Sequence, residues 1–313
     1  MNGIVGPHQR ISCAGQRERF LAELLDQLWD QYRRRVTYVA DYEQIVAAAG
    51  AQFINDHIAF RTIATQQPLA GIASISRLFE AAGYAPAGQY LFENKHLSAI
   101  HFQHSNPEFP KLFISELKAW ELPEQAREII ARVTAEQRAG LSTDLLSSIH
   151  QLDAGDAPIR DLVEAAAAQF SVLPWNLPEA ADVKTLNEYS QYGAWVLVHG
   201  YAVNHFTALV NSHLVDSLNG IEKTIAALQA AGVPMKAEIE GAAGSKLRQS
   251  ATEAVVVDVD VRQNGAPAKM EWTYAYFELA ERNPIIDPAT GQQVDFHGFL
   301  GPQATNLFEM TKK

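Results

Sequence analysis

The chain has very little cysteine, no long apolar run and no cluster of basic residues. Cys13 is the only cysteine in 313 residues, so an intramolecular disulfide framework and a cysteine-based zinc site are both excluded. No apolar run is long enough to cross a bilayer, and residues 1–19 lack the apolar core of a signal peptide. We therefore expect a cytoplasmic protein without a membrane partner.

The charge balance is acidic, with 25 Lys and Arg against 36 Asp and Glu and a net charge of −11. A chain of this charge without a Lys/Arg run is not expected to bind nucleic acid or an anionic membrane. If its substrate is an anion, the positive charge must come locally, from a specific arginine or a metal ion. The chain is 47% hydrophobic, enough for one large domain or two closely joined ones. The oligomeric state stays open.

Hydrophobic periodicity and turn residues predict an α+β fold. Within it, residues 195–209 resemble a strand, and residues 252–262 and 269–282 alternate as two strands around an Asn264-Gly265 turn, a strong hairpin signal. The expected order is an N-terminal helical segment, a first αβ module, a helical insertion, a second αβ module and a loop-rich tail that closes the site, over residues 1–50, 51–119, 120–193, 194–282 and 283–313.

A weak internal repeat relates the two modules. In the first, a strand with His57 precedes a helix that stops at Gly83, 26 positions later. In the second, a strand with His205 precedes a helix that stops at Gly232, 27 positions later. Two such units can place equivalent first strands around one shared cavity. Ordinary αβ alternation with chance spacing is the competing interpretation.

The strand at residues 55–62 carries polar side chains on one face. Because side chains alternate along a strand, His57, Ala59 and Arg61 point one way and their apolar neighbours point the other. An imidazole followed by a guanidinium on one face suggests a metal ligand with an anion-binding group beyond it. On this stretch alone, a buried hydrogen-bonded histidine and a surface arginine are the alternative.

Further ligand candidates come from the second module. His205 is the counterpart of His57 if the repeat is real, and His199 is its rival. Glu278 lies among aromatic and aliphatic neighbours, where a carboxylate needs a partner such as a cation, Arg282 or a tyrosine hydroxyl. Together His57, His205 and Glu278 form the ligand set typical of non-haem Fe(II) oxygenases, which leaves positions for a chelating 2-oxo acid and for dioxygen. Mn(II), Zn(II) and Ni(II) in the same ligands stay possible.

Two other residues are candidates for secondary roles. His101 lies in a predicted strand and is a candidate to line the cavity or to hydrogen-bond a ligand. A partly exposed strand histidine is the simpler interpretation. Arg248, just before a strand, is a candidate for a second anion contact, with a solvated charged turn as the alternative.

Three motifs make the sequence similar to a known enzyme family. They are Asp-His-Ile-Ala-Phe-Arg-Thr at 56–62, Gly-Tyr with Asn-His-Phe-Thr within 200–207, and Tyr-Phe-Glu-Leu-Ala-Glu-Arg at 276–282. The chain resembles the 2-oxoadipate dioxygenase/decarboxylase family, which is related to the vicinal oxygen chelate superfamily that includes glyoxalase. The resemblance implies two fused βαβββ modules that enclose one metal site, with N-terminal helices and a helical insertion.

The resemblance also implies roles for individual residues. His57, His205 and Glu278 would hold Fe(II), and Arg61 would recognise a substrate carboxylate. Residues 299–304 resemble the substrate-contacting loop of the family, which implies a substrate contact for Gln303. The implied reaction converts 2-oxoadipate and dioxygen to 2-hydroxyglutarate and carbon dioxide, a step of lysine breakdown.

Two other functions are compatible with the same fold. A glyoxalase-like lyase or isomerase would use Zn(II) or Ni(II) and need no oxygen. A non-enzymatic protein of this fold would bind a small molecule and keep that binding without His57. In the favoured interpretation the partners are a small 2-oxo diacid and dioxygen.

Overall fold

The computed structural model describes residues 6–65, 70–138, 140–155 and 158–300. Its helices are α1 (Gln16–Arg33), α2 (Tyr38–Ala48), α3 (Ala73–Ala81), α4 (Glu124–Thr134), α5 (Thr143–His150), α6 (Ile159–Ala167), α7 (Ala180–Tyr189), α8 (Gln191–His199) and α9 (Ile221–Ala230). None of these described helices is long and apolar enough to span a membrane. The strands are β1 (Asn55–Ala64), β2 (Tyr84–Phe92), β3 (Leu97–His104), β4 (Lys111–Lys118), β5 (Val203–Leu209), β6 (Leu247–Ala251), β7 (Val256–Gln263), β8 (Ala266–Thr273), β9 (Glu278–Arg282), β10 (Ile285–Ile286) and β11 (Gln293–Val294).

One seven-stranded sheet, in the order β2-β3-β4-β1-β5-β9-β6, joins the two modules. The first module is β1, α3, β2, β3 and β4, with β1 parallel to β4. The second begins with β5 and α9, and its β5 is parallel to β9. The modules meet where β1 and β5 pair antiparallel. The first strands of both modules therefore lie side by side at the middle of the sheet, as the internal repeat predicts.

The second module differs from the first by an inserted hairpin. Strands β7 and β8 form a separate two-stranded sheet between β6 and β9. Asn264 and Gly265, both at positive φ (54° and 80°), make its turn, as the sequence predicts. The prediction of one continuous strand over 269–282 is wrong, because β8 ends at Thr273 and β9 begins at Glu278. The break interrupts the strand alternation between Trp272 of β8 and Glu278 of β9, and Tyr274 and Tyr276 lie in the connecting segment.

The predicted strand at 195–199 is also wrong, since these residues complete α8. An apolar run as short as Ala194 to Val198 has neither the period of a helix nor that of a strand, so its ends decide. The Ser190 side chain accepts a hydrogen bond from the Gly193 amide and caps the helix start. Gly200 at φ 61° ends it. The division of the chain into five segments stays a prediction.

Aromatic packing on one face of the sheet fixes which side chains face the other way. The Trp29 and Tyr32 rings of α1 lie 5.0 and 5.1 Å from the Phe206 ring of β5. On β1, the Phe60 ring lies 5.4 Å from Phe79 of α3. Since neighbouring strand residues point to opposite faces, the packing of Phe206 and Phe60 directs the adjacent polar residues away from these helices.

Candidate metal centre

Two bulges shape the central pair of strands. The β1–β5 register shifts once between Asn55 and His57 and again between Ala59 and Phe60. The first bulge leaves Asp56 without a cross-strand partner, and the second does the same for Asn204 on the other strand. A bulge re-aims side chains locally, so each of these residues can reach the histidine that follows it.

The strands bring His57, His205 and Glu278 together on one face. Thr207 of β5 is the register partner of both His57 and Glu278, so these three lie in one row across the sheet. His205 lies two residues before Thr207 on the same face. His57 Nε2 is 3.3 Å from Glu278 Oε1, and His205 Nε2 is 3.5 Å from Glu278 Oε2. The three candidate ligand atoms all lie within 4.8 Å of one another.

Hydrogen bonds orient both imidazoles in the same way. Nδ1–H of His57 donates to Asp56 Oδ2 over 2.8 Å, and Nδ1–H of His205 donates to Asn204 Oδ1 over 3.0 Å. Both rings therefore direct Nε2 toward Glu278. A partner on the second nitrogen is the usual arrangement for a metal-bound histidine.

The carboxylate of Glu278 fits a cation. Oε1 accepts hydrogen bonds from Gln249 Nε2 at 2.6 Å and from Thr207 Oγ1 at 3.3 Å. Oε2 is buried and accepts no hydrogen bond from the described residues. A buried, unsatisfied carboxylate oxygen costs free energy, and a cation between it and the two Nε2 atoms would remove that cost. The three residues together can hold a divalent metal ion.

The protonation states differ between the two histidines. Burial lowers the pKa of His205 to about 3, so its imidazole is neutral. Burial acts the same way on His57, but its contacts with Asp56 and Glu278 outweigh burial and raise its pKa above the ordinary value. For Glu278, burial would raise the pKa, and His205, His57 and Gln249 lower it overall. The carboxylate is therefore ionised, and a metal would compete with a proton only at His57.

Asp56 connects His57 to two cations. Arg282 donates from Nε to Asp56 Oδ1 at 2.6 Å and from a terminal nitrogen to Oδ2 at 2.8 Å. Lys111 Nζ lies 3.9 Å from Asp56 Oδ1. Burial opposes ionisation, yet Arg282 and Lys111 hold the pKa of Asp56 well below its usual range. From the sequence, Arg282 was a candidate partner for Glu278. In the structure, Arg282 pairs with Asp56 instead.

Arg61 lies two steps beyond His57 on the same face of β1, as the alternation predicts. Its side chain is buried, and its guanidinium carbon is 5.1 Å from the Tyr192 ring centre and 5.2 Å from the Trp195 ring. Burial lowers the pKa of the guanidinium from its ordinary value. Ala59, between His57 and Arg61, lines the same cavity as these two side chains.

These side chains line one cavity, and residues Phe299 and Leu300 of the tail form part of its wall. His57, Arg61, Asn204, His205, Tyr276 and Phe299 all face it. The Tyr276 ring stacks on His205 at 4.9 Å, and the Phe299 ring meets His57 edge-on at 4.9 Å. The space in this cavity that the centre of a water-sized sphere can occupy is about 30 Å³. This is room for roughly two or three waters at about 10–15 Å³ each.

Glu240 is a second carboxyl near this site that the sequence did not single out. Its backbone pairs with Gln249, whose side chain binds Glu278. Burial, followed by the charge of Glu278, raises the pKa of Glu240 to about 7. Glu240 can therefore gain or lose a proton near neutral pH, within reach of the charge of Glu278.

Other candidates from the sequence lie elsewhere. His199 is in α8, where Nε2–H donates to the Thr273 carbonyl, so it is not a rival ligand. The Nδ1 of His101 lies 3.0 Å from the Tyr90 hydroxyl oxygen, and its ring packs 5.4 Å from Phe299, so it contacts the tail rather than the ligands.

Arg248 and Gln303 were expected to contact substrate. The guanidinium of Arg248 is paired with Glu281 at 2.9 Å and Glu222 at 2.5 Å and does not face the cavity, so the expected anion contact is wrong. Its partners come from β9 and α9, which the local sequence around Arg248 does not reveal. Gln303 lies outside the described residues.

The comparison with known families decides the identity of the chain. Residues 23–296 match the sequence model of a family described as 2-oxoadipate dioxygenase/decarboxylase. The chain belongs to this family. A protein of Arabidopsis thaliana named 2-oxoadipate dioxygenase/decarboxylase, chloroplastic, is 28% identical over 94% of this chain and 78% of its own length. The resemblance stated from the three motifs is thus confirmed, and the family is one of enzymes.

Solved structures confirm the predicted fold. A protein of Ralstonia eutropha JMP134, described as belonging to the glyoxalase superfamily, aligns with a TM-score of 0.77 at 24% identity, covering 96% of this chain and 90% of its own. Hydroxyglutarate synthase from Oryza sativa, solved in complex with 2-oxoadipate, aligns at 0.75 and 22% identity, covering 99% and 97%. The fold is therefore α+β of the vicinal oxygen chelate type.

The predicted cytoplasmic location is wrong on the same comparison. The Arabidopsis relative is named as a chloroplast protein. The prediction rested on the lack of an apolar N-terminal run, which bears only on secretory signals, because plastid-targeting segments are amphipathic rather than apolar. The lack of an apolar N-terminal run therefore does not distinguish a cytoplasmic protein from a plastid protein.

Proposed function

We propose that this protein is an Fe(II)-dependent dioxygenase/decarboxylase that acts on 2-oxoadipate or a similar 2-oxo diacid in lysine breakdown. One substrate and one dioxygen would give 2-hydroxyglutarate and carbon dioxide, which balances all atoms without a further reductant. The observation that carries the proposal is the contact of Glu278 with two oriented imidazoles: His57 Nε2 lies 3.3 Å from Oε1, and His205 Nε2 lies 3.5 Å from the unsatisfied Oε2. Membership of the family supports the reaction.

The ligand set suits iron. Two imidazoles and one carboxylate leave open positions for a bidentate 2-oxo acid and dioxygen, which is the arrangement of non-haem Fe(II) oxygenases. A bound Fe(II) supplies the redox chemistry that oxygen activation and decarboxylation require. Asp56 and Asn204 accept the Nδ1–H of His57 and His205, so Nε2 is the nitrogen of each ring that is directed at the proposed ion.

Arg61 is proposed to bind the far carboxylate of the substrate. Strand residues advance about 3.3 Å each, so four residues separate His57 and Arg61 by about 13 Å along β1. A long arginine that leans back over Ala59 can meet the end of a six-carbon diacid whose 2-oxo end lies at His57. The planar guanidinium can donate two hydrogen bonds to one carboxylate, and the Tyr192 and Trp195 rings hold it in place.

The remaining wall excludes water and offers one further donor. Phe299, Tyr276 and Phe113 give an apolar surface around the reacting end of the substrate. Asn204 Oδ1 accepts from His205, and its buried Nδ2 donates to none of the described residues. That amide is placed to donate to an oxygen of the substrate.

The direct test is oxygen uptake by protein loaded with Fe(II) under anaerobic conditions and then given 2-oxoadipate. We expect one dioxygen consumed and one carbon dioxide and one 2-hydroxyglutarate formed per substrate, with activity lost in His57→Ala. Anaerobic isomerisation of a 2-oxo compound without oxygen uptake would instead indicate a glyoxalase-like enzyme. If wild type is inactive, and wild type and His57→Ala bind the 2-oxo acid equally well, the protein is a binding protein rather than an enzyme.

A further inference from the structure

The tail reaches the cavity at Phe299 and Leu300, which form part of its wall. The Phe299 ring packs 4.9 Å from His57 and 5.0 Å from Phe113. The Phe299 backbone N–H donates to the Tyr90 hydroxyl over 3.2 Å. The tail thus contacts the proposed metal ligand on one side and the strands of the first module on the other.

Arg282 holds this tail with one part of its guanidinium. A terminal nitrogen donates to the Phe296 carbonyl at 3.1 Å and to the Gly298 carbonyl at 2.8 Å. The guanidinium carbon also lies 5.3 Å from the centre of the Phe299 ring. The side chain is only 7% exposed, so these contacts are made largely out of water.

The other nitrogens of Arg282 hold Asp56. They form the two-pronged pair with both carboxylate oxygens, and Asp56 in turn accepts Nδ1–H of His57. One planar group therefore joins the tail and a histidine of the metal centre. Because a guanidinium is rigid, a movement of its tail side is transmitted to its Asp56 side.

The cavity is too small for the proposed substrate. The space that the centre of a water-sized sphere can occupy is about 30 Å³, which admits a few waters. A six-carbon diacid needs several times that space. Substrate entry therefore requires Phe299 and its neighbours to move, and that movement breaks two of the acceptor contacts of Arg282. The contacts with Asp56 are then free to shift as well.

We propose that Arg282 is a positioning residue that couples closure of tail residues 295–300 to the orientation of His57. It acts through Asp56 and does not touch substrate. The inference rests on the proposed metal site at His57. With the tail closed, Arg282 fixes Asp56, and the imidazole points Nε2 at the ion. With the tail open, that orientation is looser, so metal binding and tail closure favour each other.

The test uses the full-length chain and Mn²⁺, which has no redox chemistry with oxygen here. Mn²⁺ affinity is measured by titration, and hydrogen exchange of the peptide that contains Phe299 is followed with and without Mn²⁺. In wild type, Mn²⁺ should slow this exchange several-fold. In Arg282→Gln, exchange should be fast and independent of Mn²⁺, and Mn²⁺ affinity should fall by about tenfold, the lower end for loss of a partner that orients a ligand.

The matched control is Arg248→Gln. Arg248 lies in the same sheet and also pairs with two carboxylates, Glu281 of β9 and Glu222 of α9, and neither pair involves the tail or Asp56. It should keep the wild-type affinity and the Mn²⁺-dependent exchange. Removing a cation near a metal site would by itself strengthen metal binding, so a weaker affinity in Arg282→Gln reports lost orientation rather than changed charge.

Several results would overturn the inference. Unchanged or tighter Mn²⁺ binding in Arg282→Gln with a loosened tail would make Arg282 a tail anchor only. Exchange in wild type that does not respond to bound Mn²⁺ would exclude the coupling. If Arg282→Gln does not fold, Arg282→Lys should show the same two changes, because a compact ammonium cannot form the two-pronged pair with Asp56 and also reach both tail carbonyls as the planar guanidinium does. Wild type that binds no Mn²⁺ would remove the metal site itself.

Discussion

Asp56 and Asn204 occupy equivalent places in the two modules. Each lies in a bulge of the central strand pair, and each accepts the Nδ1–H of the histidine that follows it. One acceptor is an ion-paired carboxylate and the other is a neutral amide. The two proposed ligands are thus oriented in the same manner but sit in different electrostatic surroundings.

This difference predicts unequal effects of substitution on stability. Asp56→Asn leaves Arg282 buried without its anion, so the free energy of unfolding should fall by about 3–5 kcal/mol. Asn204→Ala removes one neutral hydrogen bond, and about 1 kcal/mol should be lost. Urea denaturation of the metal-free variants measures both values. Equal losses in the two variants would contradict the assigned charge on Asp56.

The raised pKa of His57 predicts proton release on metal binding. A metal must displace the Nε2 proton of a charged His57, whereas His205 is already neutral. Mn²⁺ binding at pH 6 should release close to one proton per chain, and the release should vanish as the pH rises above the pKa of His57. Titration calorimetry in buffers of different ionisation enthalpy gives this number. Two protons at pH 6 would mean that His205 is charged as well.

The lowered pKa of His199 predicts that the fold loses part of its stability in acid. Burial, with a smaller effect of Arg35, lowers its pKa to about 3, below the unfolded value of about 6.5. The unfolded chain binds this proton more readily, so the stabilisation is complete above about pH 6.5 and is lost toward pH 3. The slope is about 1.4 kcal/mol per pH unit. His199→Gln should remove that slope between pH 6 and 5 in denaturation experiments, and an unaltered slope would contradict the buried neutral state.

The proposed role of Arg61 predicts that the enzyme prefers a diacid substrate. Arg61→Gln should lower kcat/KM for 2-oxoadipate by about 10–100-fold, since a hydrogen bond to a charged group contributes about 1.5–3 kcal/mol. It should leave 2-oxohexanoate, which has no far carboxylate, nearly unaffected. Steady-state kinetics on both substrates gives the ratio. Arg61→Lys is the conservative comparison, and equal losses on both substrates would assign Arg61 a structural role.

Much of the fold was predictable because its signals are local. The helix stops at Gly83 and Gly232 and the Asn264-Gly265 turn are features of a few neighbouring residues, and each lies where the sequence placed it. The strand prediction for residues 195–199 was wrong because a short apolar run has no diagnostic period. Strand alternation also suggested that His57 and Arg61 share a face, and the structure has them so.

The orienting residues were not predictable from alternation. The period of two places Asp56 and Asn204 on the face opposite their histidines, and only the two bulges bring them round. A bulge depends on pairing between strands about 150 positions apart, as in the register of His57 with Thr207. One signal was present: in both modules an acceptor side chain directly precedes the histidine. The ligand role of His57, His205 and Glu278 stays a prediction.

The most direct test of the account is the metal content of the protein and of its ligand variants. Wild type dialysed anaerobically against Fe(II) should retain one ion per chain, and His57→Ala, His205→Ala and Glu278→Ala should each retain almost none while keeping the fold by circular dichroism. Retention of one ion per chain by any of these three folded variants would contradict the central claim that these side chains hold a single metal.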